Sequence, residues 1–201
     1  AANNSVDKAE SEAEKARAEN ITGPKNLAIA TAAIGARLIH FSTDYVYHNR
    51  QNRPFKEDDA VQPKGVYAKT KLAGERAVLA SNPGQSMVIR TSWVYAAVGQ
   101  NFVKTMLRLG QERKTISVVA DQIGSPTYAP DLALAVLQII RKVEKGSVPK
   151  ESISGIWHYS NEGVASWYDF AVAIFDIKKI TCKVIPISTE DYPTPAQRPP
   201  F

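Results

Sequence analysis

Short apolar runs alternate with longer helix-forming stretches along most of this 201-residue chain. Arg37 to Phe41, Met87 to Thr91, Ile116 to Val119, Ile156 to Tyr159 and Lys183 to Ile187 have the length and apolarity of buried strands. The segments between them read as helices. Asp7 to Glu19 is charged and Ala-rich and reads as an exposed helix. Thr22 is expected to cap the next helix, with Pro24 in its first turn and an end at Gly35. Further helices are expected over 66–80, from Asn101 to Arg113, and from Asp131 to Val143, the last with an apolar face of Leu132, Val136, Leu137 and Ile140. Ser166 is placed to cap a helix running through Phe175. Residues 48–63 are polar, contain Pro54 and Pro63, and read as a loop. Strands that alternate with helices predict an α/β protein with a parallel sheet.

Composition narrows the function classes. With 44% hydrophobic and 22% charged residues, the chain resembles ordinary globular proteins. No apolar run is long enough to span a membrane and none reads as a signal peptide, so a cytoplasmic protein with no membrane partner is expected. The single cysteine, Cys182, excludes an intrachain disulfide framework and reads as a buried, inert thiol in a strand. The net charge of +5 is modest and its lysines and arginines are scattered, which argues against a nucleic-acid partner. Mild basicity would help attract an anionic small-molecule partner. His40, His48 and His158 lack metal-ligand spacing, so no metal is expected, and His40 reads as a satisfied core histidine.

Tyr67 and Lys71 are four apart in the predicted helix and share one face of it. A nearby ammonium favours a phenolate and would lower the tyrosine from its usual value near ~10. Thr43, at the end of a strand, offers a hydroxyl to a carbonyl oxygen. The three define a site for carbonyl/alcohol redox chemistry with hydride from a nicotinamide. The ordinary reading of Tyr-x-x-x-Lys is a solvated pair, and its surroundings decide against that.

Val66-Tyr-Ala-Lys-Thr-Lys-Leu-Ala-Gly-Glu75 resembles the catalytic helix of the extended short-chain dehydrogenase/reductases. Ser42-Thr-Asp-Tyr-Val-Tyr47 resembles the strand end of the same superfamily. Arg90-Thr-Ser-Trp-Val-Tyr95, Asn101 to Leu109, Asp121-Gln-Ile-Gly-Ser-Pro-Thr127 and Tyr192 to Pro199 narrow the resemblance to the dTDP-4-dehydrorhamnose reductase family, in order along essentially the whole chain. The resemblance implies NADPH or NADH as cofactor and a dTDP-4-keto-6-deoxy sugar as partner. It makes Thr43, Tyr67 and Lys71 catalytic. It gives Ala1, Ala2, Asn3, Tyr67 and Lys71 to the cofactor, and Thr43, Asp44, Trp93 and Arg198 to the substrate. Asn20 would hold a proton-relay water or, more simply, cap a helix; Arg90 could be a buried structural arginine. A homodimer is compatible with the resemblance.

None of the eleven glycines form a G-x-G-x-x-G or G-x-x-G-x-x-G loop, the signature of a dinucleotide pyrophosphate site. Beside the family, the chain therefore reads as truncated at both ends. The expected fold is a Rossmann-like doubly wound parallel sheet, partial for lack of its N-terminal strands, with a small C-terminal substrate-binding lobe. Residues 1–120 are assigned to the dinucleotide-binding part and 121–201 mostly to the lobe, the two interleaved. Two alternatives stand beside the reductase. One is a non-catalytic regulatory subunit of the methionine adenosyltransferase type. The other is a nucleotide-sugar epimerase or dehydratase, although Thr43 is followed by Asp44 and Tyr45 and not by the Asp-Glu pair a dehydratase uses.

Overall fold

The computed structural model describes residues 4–49 and 53–200. The first helices are α1 (Val6–Ser11), α2 (Ala13–Arg17), a π-helical turn (Ala18–Thr22) and α3 (Gly23–Ala33). Then follow β1 (Leu38–Thr43), α4 (Gly65–Ser81), β2 (Ser86–Thr91), β3 (Val94–Tyr95), α5 (Phe102–Glu112) and β4 (Thr115–Val119). The remainder comprises β5 (Ile123–Gly124), β6 (Thr127–Tyr128), α6 (Ala129–Glu144), β7 (Gly155–His158), β8 (Ala165–Ser166), α7 (Trp167–Lys178) and β9 (Lys183–Ile187). The chain divides into two compact units, one of Ala1–Thr91, Ala135–Tyr159 and Thr194–Pro199, the other of Ser92–Leu134, Ser160–Pro193 and Pro200–Phe201.

The first unit holds a parallel sheet in the order β1-β2-β7, with Thr43 level with Thr91 and Ile89 level with Trp157. Its strands are apolar because helices cover them: Ala28 of α3 and Val78 of α4 pack on Val88, with Leu38, Leu79 and Ile156 around them. The α1, α2 and π-turn segments lie against α4. A groove of about 800 Å³, bordered by Leu38, Ile39, Phe41, Val136, Ile140 and Val143, lies apart from Thr43, Tyr67 and Lys71. In the second unit, β4 and β9 pair in parallel. Met106 of α5 and Ala171, Ile174 and Phe175 of α7 bury Ile116, Val118 and Cys182. Ser166 caps α7 in a reciprocal capping box with Asp169, as its position predicts.

Several sequence expectations are corrected. The stretch from Asp7 to Glu19 is neither continuous nor fully exposed. It breaks at Glu12, buries Ala9 and Ala16, and passes into the π turn, where Asn20 is buried too. Small side chains at these positions let the segment sit close to α4. Thr22 does not cap a helix: its backbone is helical and the turn runs straight into α3. Leu137 and Ile140 are exposed although they lie on the apolar stripe of α6. His40 is not satisfied, since its buried Nε2 finds no hydrogen-bond partner among the described residues. Cys182 is buried as expected but precedes β9.

Gly74 is where α4 meets the π turn, and a Cβ there would collide with the Asn20 carbonyl oxygen. That obstacle is backbone and cannot swing aside. Gly74→Ala is expected to destabilise the protein by about 1–3 kcal/mol. Thermal unfolding should show a fall of roughly 2–4 °C per kcal/mol. An unchanged melting temperature would mean that the two segments separate at no cost.

Candidate active site

The C-terminal end of β1 delivers Thr43 and Asp44 to one point. Thr43 is extended, and its Oγ1 accepts the Tyr45 N–H at 3.2 Å, capping the 3₁₀ turn Asp44–Val46. This cap turns the chain sharply, so that Thr43 and Asp44 stay side by side at the strand end. Thr43 Oγ1 and Asp44 Oδ1 are 3.0 Å apart.

Across from them, α4 presents Tyr67. The start of α4 is fixed from α1: the Glu10 carboxylate accepts the Val66 N–H at 2.7 Å, satisfying one of the helix's free N-terminal donors. One turn on, the Asn20 amide donates to Thr70 Oγ1 at 3.1 Å, and Thr70 Oγ1 donates to the Tyr67 carbonyl at 3.0 Å. Asn20 is thus a buried brace on the turn that carries Tyr67. The Tyr67 ring meets Tyr45 edge-on at 5.6 Å, and its phenol lies near Thr43.

Burial pushes the Tyr67 phenol up to about 12, with Thr43 opposing and the Asp44 charge adding. This corrects the expectation that Lys71 lowers it. The Lys71 ammonium donates to the Phe41 carbonyl at 2.7 Å, and Lys71 is itself pushed down by burial, against the attraction of Glu75. Tyr67 is therefore a phenol, not a phenolate, at neutral pH. That is the form a proton donor needs.

Beneath these groups lies a buried ionic network in which only the role of Arg90 was expected from the sequence. Arg90 of β2 grips Glu75 of α4 with two nitrogens, at 3.0 and 2.7 Å. Ser42, next to Thr43, also donates to Glu75, and Tyr47 joins Arg90 to His158. Tyr67, Lys71 and Glu75 are spaced four apart, and that third member of one helix face was the available signal.

The remaining expected residues are placed as follows. The Arg198 guanidinium forms a two-pronged ion pair with Asp7, at 2.7 and 2.8 Å, and holds the Asp7 carboxyl below its usual range. Trp93, in the second unit, has φ 47° and stacks on Trp167 at 3.5 Å. Gly124 leaves the space its indole fills, for a Cβ there would come within 2.7 Å of the ring. Asp121, in the loop expected to bind ligand, instead accepts the Thr189 N–H and hydroxyl. Ala1, Ala2 and Asn3 lie outside the described residues. Among the described residues there is no cluster of metal-ligating side chains.

A parallel α/β sheet with a threonine at a strand end and a tyrosine and lysine four apart on the following helix has the architecture of the extended short-chain dehydrogenase/reductases. The profile of the RmlD substrate binding domain matches residues 1–201. A dTDP-4-dehydrorhamnose reductase of Aggregatibacter actinomycetemcomitans is 44% identical over 206 residues, covering 99% of this chain and 68% of the relative. A dTDP-4-dehydrorhamnose reductase of Clostridium acetobutylicum superposes with TM-score 0.91 at 43% identity, over 99% of this chain and 67% of that one. The reductase of Bacillus anthracis, solved in complex with NADP, gives TM-score 0.91 at 41% identity, over 99% of this chain and 67% of that one. The chain belongs to the RmlD substrate-binding-domain family, that of the dTDP-4-dehydrorhamnose reductases. It spans about two thirds of the length of these relatives.

Proposed function

We propose that this protein reduces the C4 keto group of dTDP-4-dehydro-L-rhamnose to give dTDP-L-rhamnose for polysaccharide synthesis, with NADPH or NADH. The observation that carries this reading is the Tyr67 phenol held against the Thr43 hydroxyl at the C-terminal end of a parallel strand. Ligands of open α/β sheets bind at such ends. The donor set fits a nicotinamide nucleotide. Lys71 has three N–H bonds and, among the described residues, gives one to protein, which leaves two for ribose hydroxyls. When bound, NAD(P)H supplies the hydride.

The chain's own residues do the rest. Thr43 donates to the substrate carbonyl oxygen and stabilises the charge that develops there. Tyr67 protonates the forming alkoxide. Lys71 orients the cofactor ribose, with Tyr67 beside it. Ala1, Ala2 and Asn3 border the cofactor. Asp44 and Trp93 contact the sugar. Arg198 serves the diphosphate, for which its guanidinium geometry is suited once it exchanges Asp7 for the ligand. The enzyme works in the cytoplasm, as a homodimer; no helix among the described residues is long and apolar enough to cross a membrane.

The test is NADPH oxidation with the dTDP-4-keto-6-deoxy sugar, with the product identified. Stoichiometric dTDP-L-rhamnose is expected. Dinucleotide binding without turnover would overturn the reading in favour of a regulatory subunit.

A further inference from the structure

The φ of 47° at Trp93 lies in the left-handed region, which a bulky side chain adopts only under strain. Such strain persists where the surroundings over-determine it, and around Trp93 they do. The Ser92 hydroxyl donates to the Ser125 carbonyl at 2.6 Å. The Trp93 carbonyl accepts the Thr127 N–H at 3.2 Å, and β3 and β6 pair directly after it. The Nε1 and Cε2 atoms of the indole sit where a Cβ of Gly124 would be. One face of the ring lies on Trp167, with the two planes 8° apart.

Gly124 and Trp167 act together. β5 pairs with β8, with Gly124 level with Ala165 and Ile123 level with Ser166, and Trp167 follows as the first residue of α7. The capping box of Ser166 and Asp169 fixes that helix start. The Trp167 ring packs on the core of the second unit and meets Phe102 at 4.6 Å. The β5–β8 pair and the start of α7 thus form a slot for the Trp93 indole. The two indoles stack face to face with centroids 3.5 Å apart. Aromatic pairs prefer offset or edge-on arrangements at about 4.5–7 Å. The slot, and not the attraction between the rings, therefore sets this geometry.

We propose that Trp167 is a positioning residue, which holds Trp93 in the strained conformation that presents the rest of its half-buried indole to the sugar ring of the substrate. This inference rests on the reductase reading, in which Trp93 contacts the sugar. An indole fixed in advance offers an apolar surface to the C–H groups of a hexose, with no ordering cost at binding. Without Trp167 the strain at Trp93 is relieved and the placed conformation becomes a minor population. Substrate then binds more weakly by the fraction of molecules that remain placed.

Steady-state kinetics with the keto sugar test this. Trp167→Ala should raise KM for the sugar about tenfold, the order of the strain released. Its kcat should stay within about twofold of wild type, because every bound molecule has Trp93 in place. Trp167→Phe, which keeps a ring face, should restore most of the affinity. Trp93→Ala should also raise KM, and adding Trp167→Ala to it should change nothing further, because Trp167 acts through Trp93. A merely structural role would lower the melting temperature and the active fraction, and hence kcat, without moving KM. If Trp167→Ala fails to fold, Gly124→Ala takes its place: the added methyl enters the slot without removing a core side chain, and it too should raise KM for the sugar. The proposal is overturned if the folded slot variant leaves that KM unchanged, if its effect adds in full to that of Trp93→Ala, or if Trp167→Phe is as weak as Trp167→Ala. A wild type that reduces no keto sugar overturns the reductase reading instead.

Discussion

Tyr67→Phe should lower kcat by about 10²–10⁴-fold while KM stays close to its wild-type value. The substitution removes one oxygen. The ring stays packed against Tyr45, and the brace from Asn20 acts on the Tyr67 carbonyl through Thr70, which phenylalanine also has. The fold should therefore survive, and the loss is of proton donation alone. Because burial keeps the phenol near 12, Tyr67 stays protonated throughout the neutral range, and its own titration should add no limb to the profile there. Steady-state NADPH oxidation at saturating keto sugar is the measurement. Thr43→Ser, which keeps the hydroxyl, should lose much less than Thr43→Val, which keeps only the shape. If Tyr67→Phe retained more than about a tenth of wild-type kcat, the proton would have to come from another group, and the assignment would fail.

What the sequence made legible follows from the range of the forces involved. The long strands and helices have a local period, so Met87–Thr91, Asn101–Arg113 and Lys183–Ile187 were readable to within a residue or two of β2, α5 and β9. The bridges Val94–Tyr95, Ile123–Gly124, Thr127–Tyr128 and Ala165–Ser166 have two residues each and no period to detect. Thr22 looked like a cap because threonine is a favoured N-cap residue and Pro24 falls in the first turn after it. Packing of Asn20 against Gly74 instead carries the helix through it in a π turn.

At the candidate site the residue types were legible and their electrostatics were not. The spacing of Tyr67 and Lys71 gives a shared helix face, but it cannot say where an ammonium with a long, flexible stem comes to rest. It rests on the Phe41 carbonyl, and burial then decides the tyrosine's acidity. Arg198 was read from its chemistry as a phosphate ligand; its bond to Asp7, 191 residues away, is a tertiary fact that no local pattern encodes.

The largest stability effect is expected at Glu75. Its carboxylate is 1% exposed and meets an Arg90 side chain that is 3% exposed. Two charges taken out of water are tolerated because each satisfies the other, so removing one strands its partner. Glu75→Ala should cost about 3–5 kcal/mol, since Arg90 would stay buried with, among the described residues, only Tyr47 and the Glu57 carbonyl as acceptors. Urea denaturation should show a lower midpoint at an unchanged slope. Glu75→Gln, which keeps an acceptor, should lose less. The double change Glu75→Leu with Arg90→Met should recover much of the loss, because no charge is then left buried. A double variant as unstable as Glu75→Ala would show that packing, and not the unpaired charge, sets the cost. The pair also joins α4 to β2, and Ser42 extends it to the residue before Thr43. Loosening it should move Tyr67 relative to Thr43, so Glu75→Gln should lower kcat even where the protein remains folded.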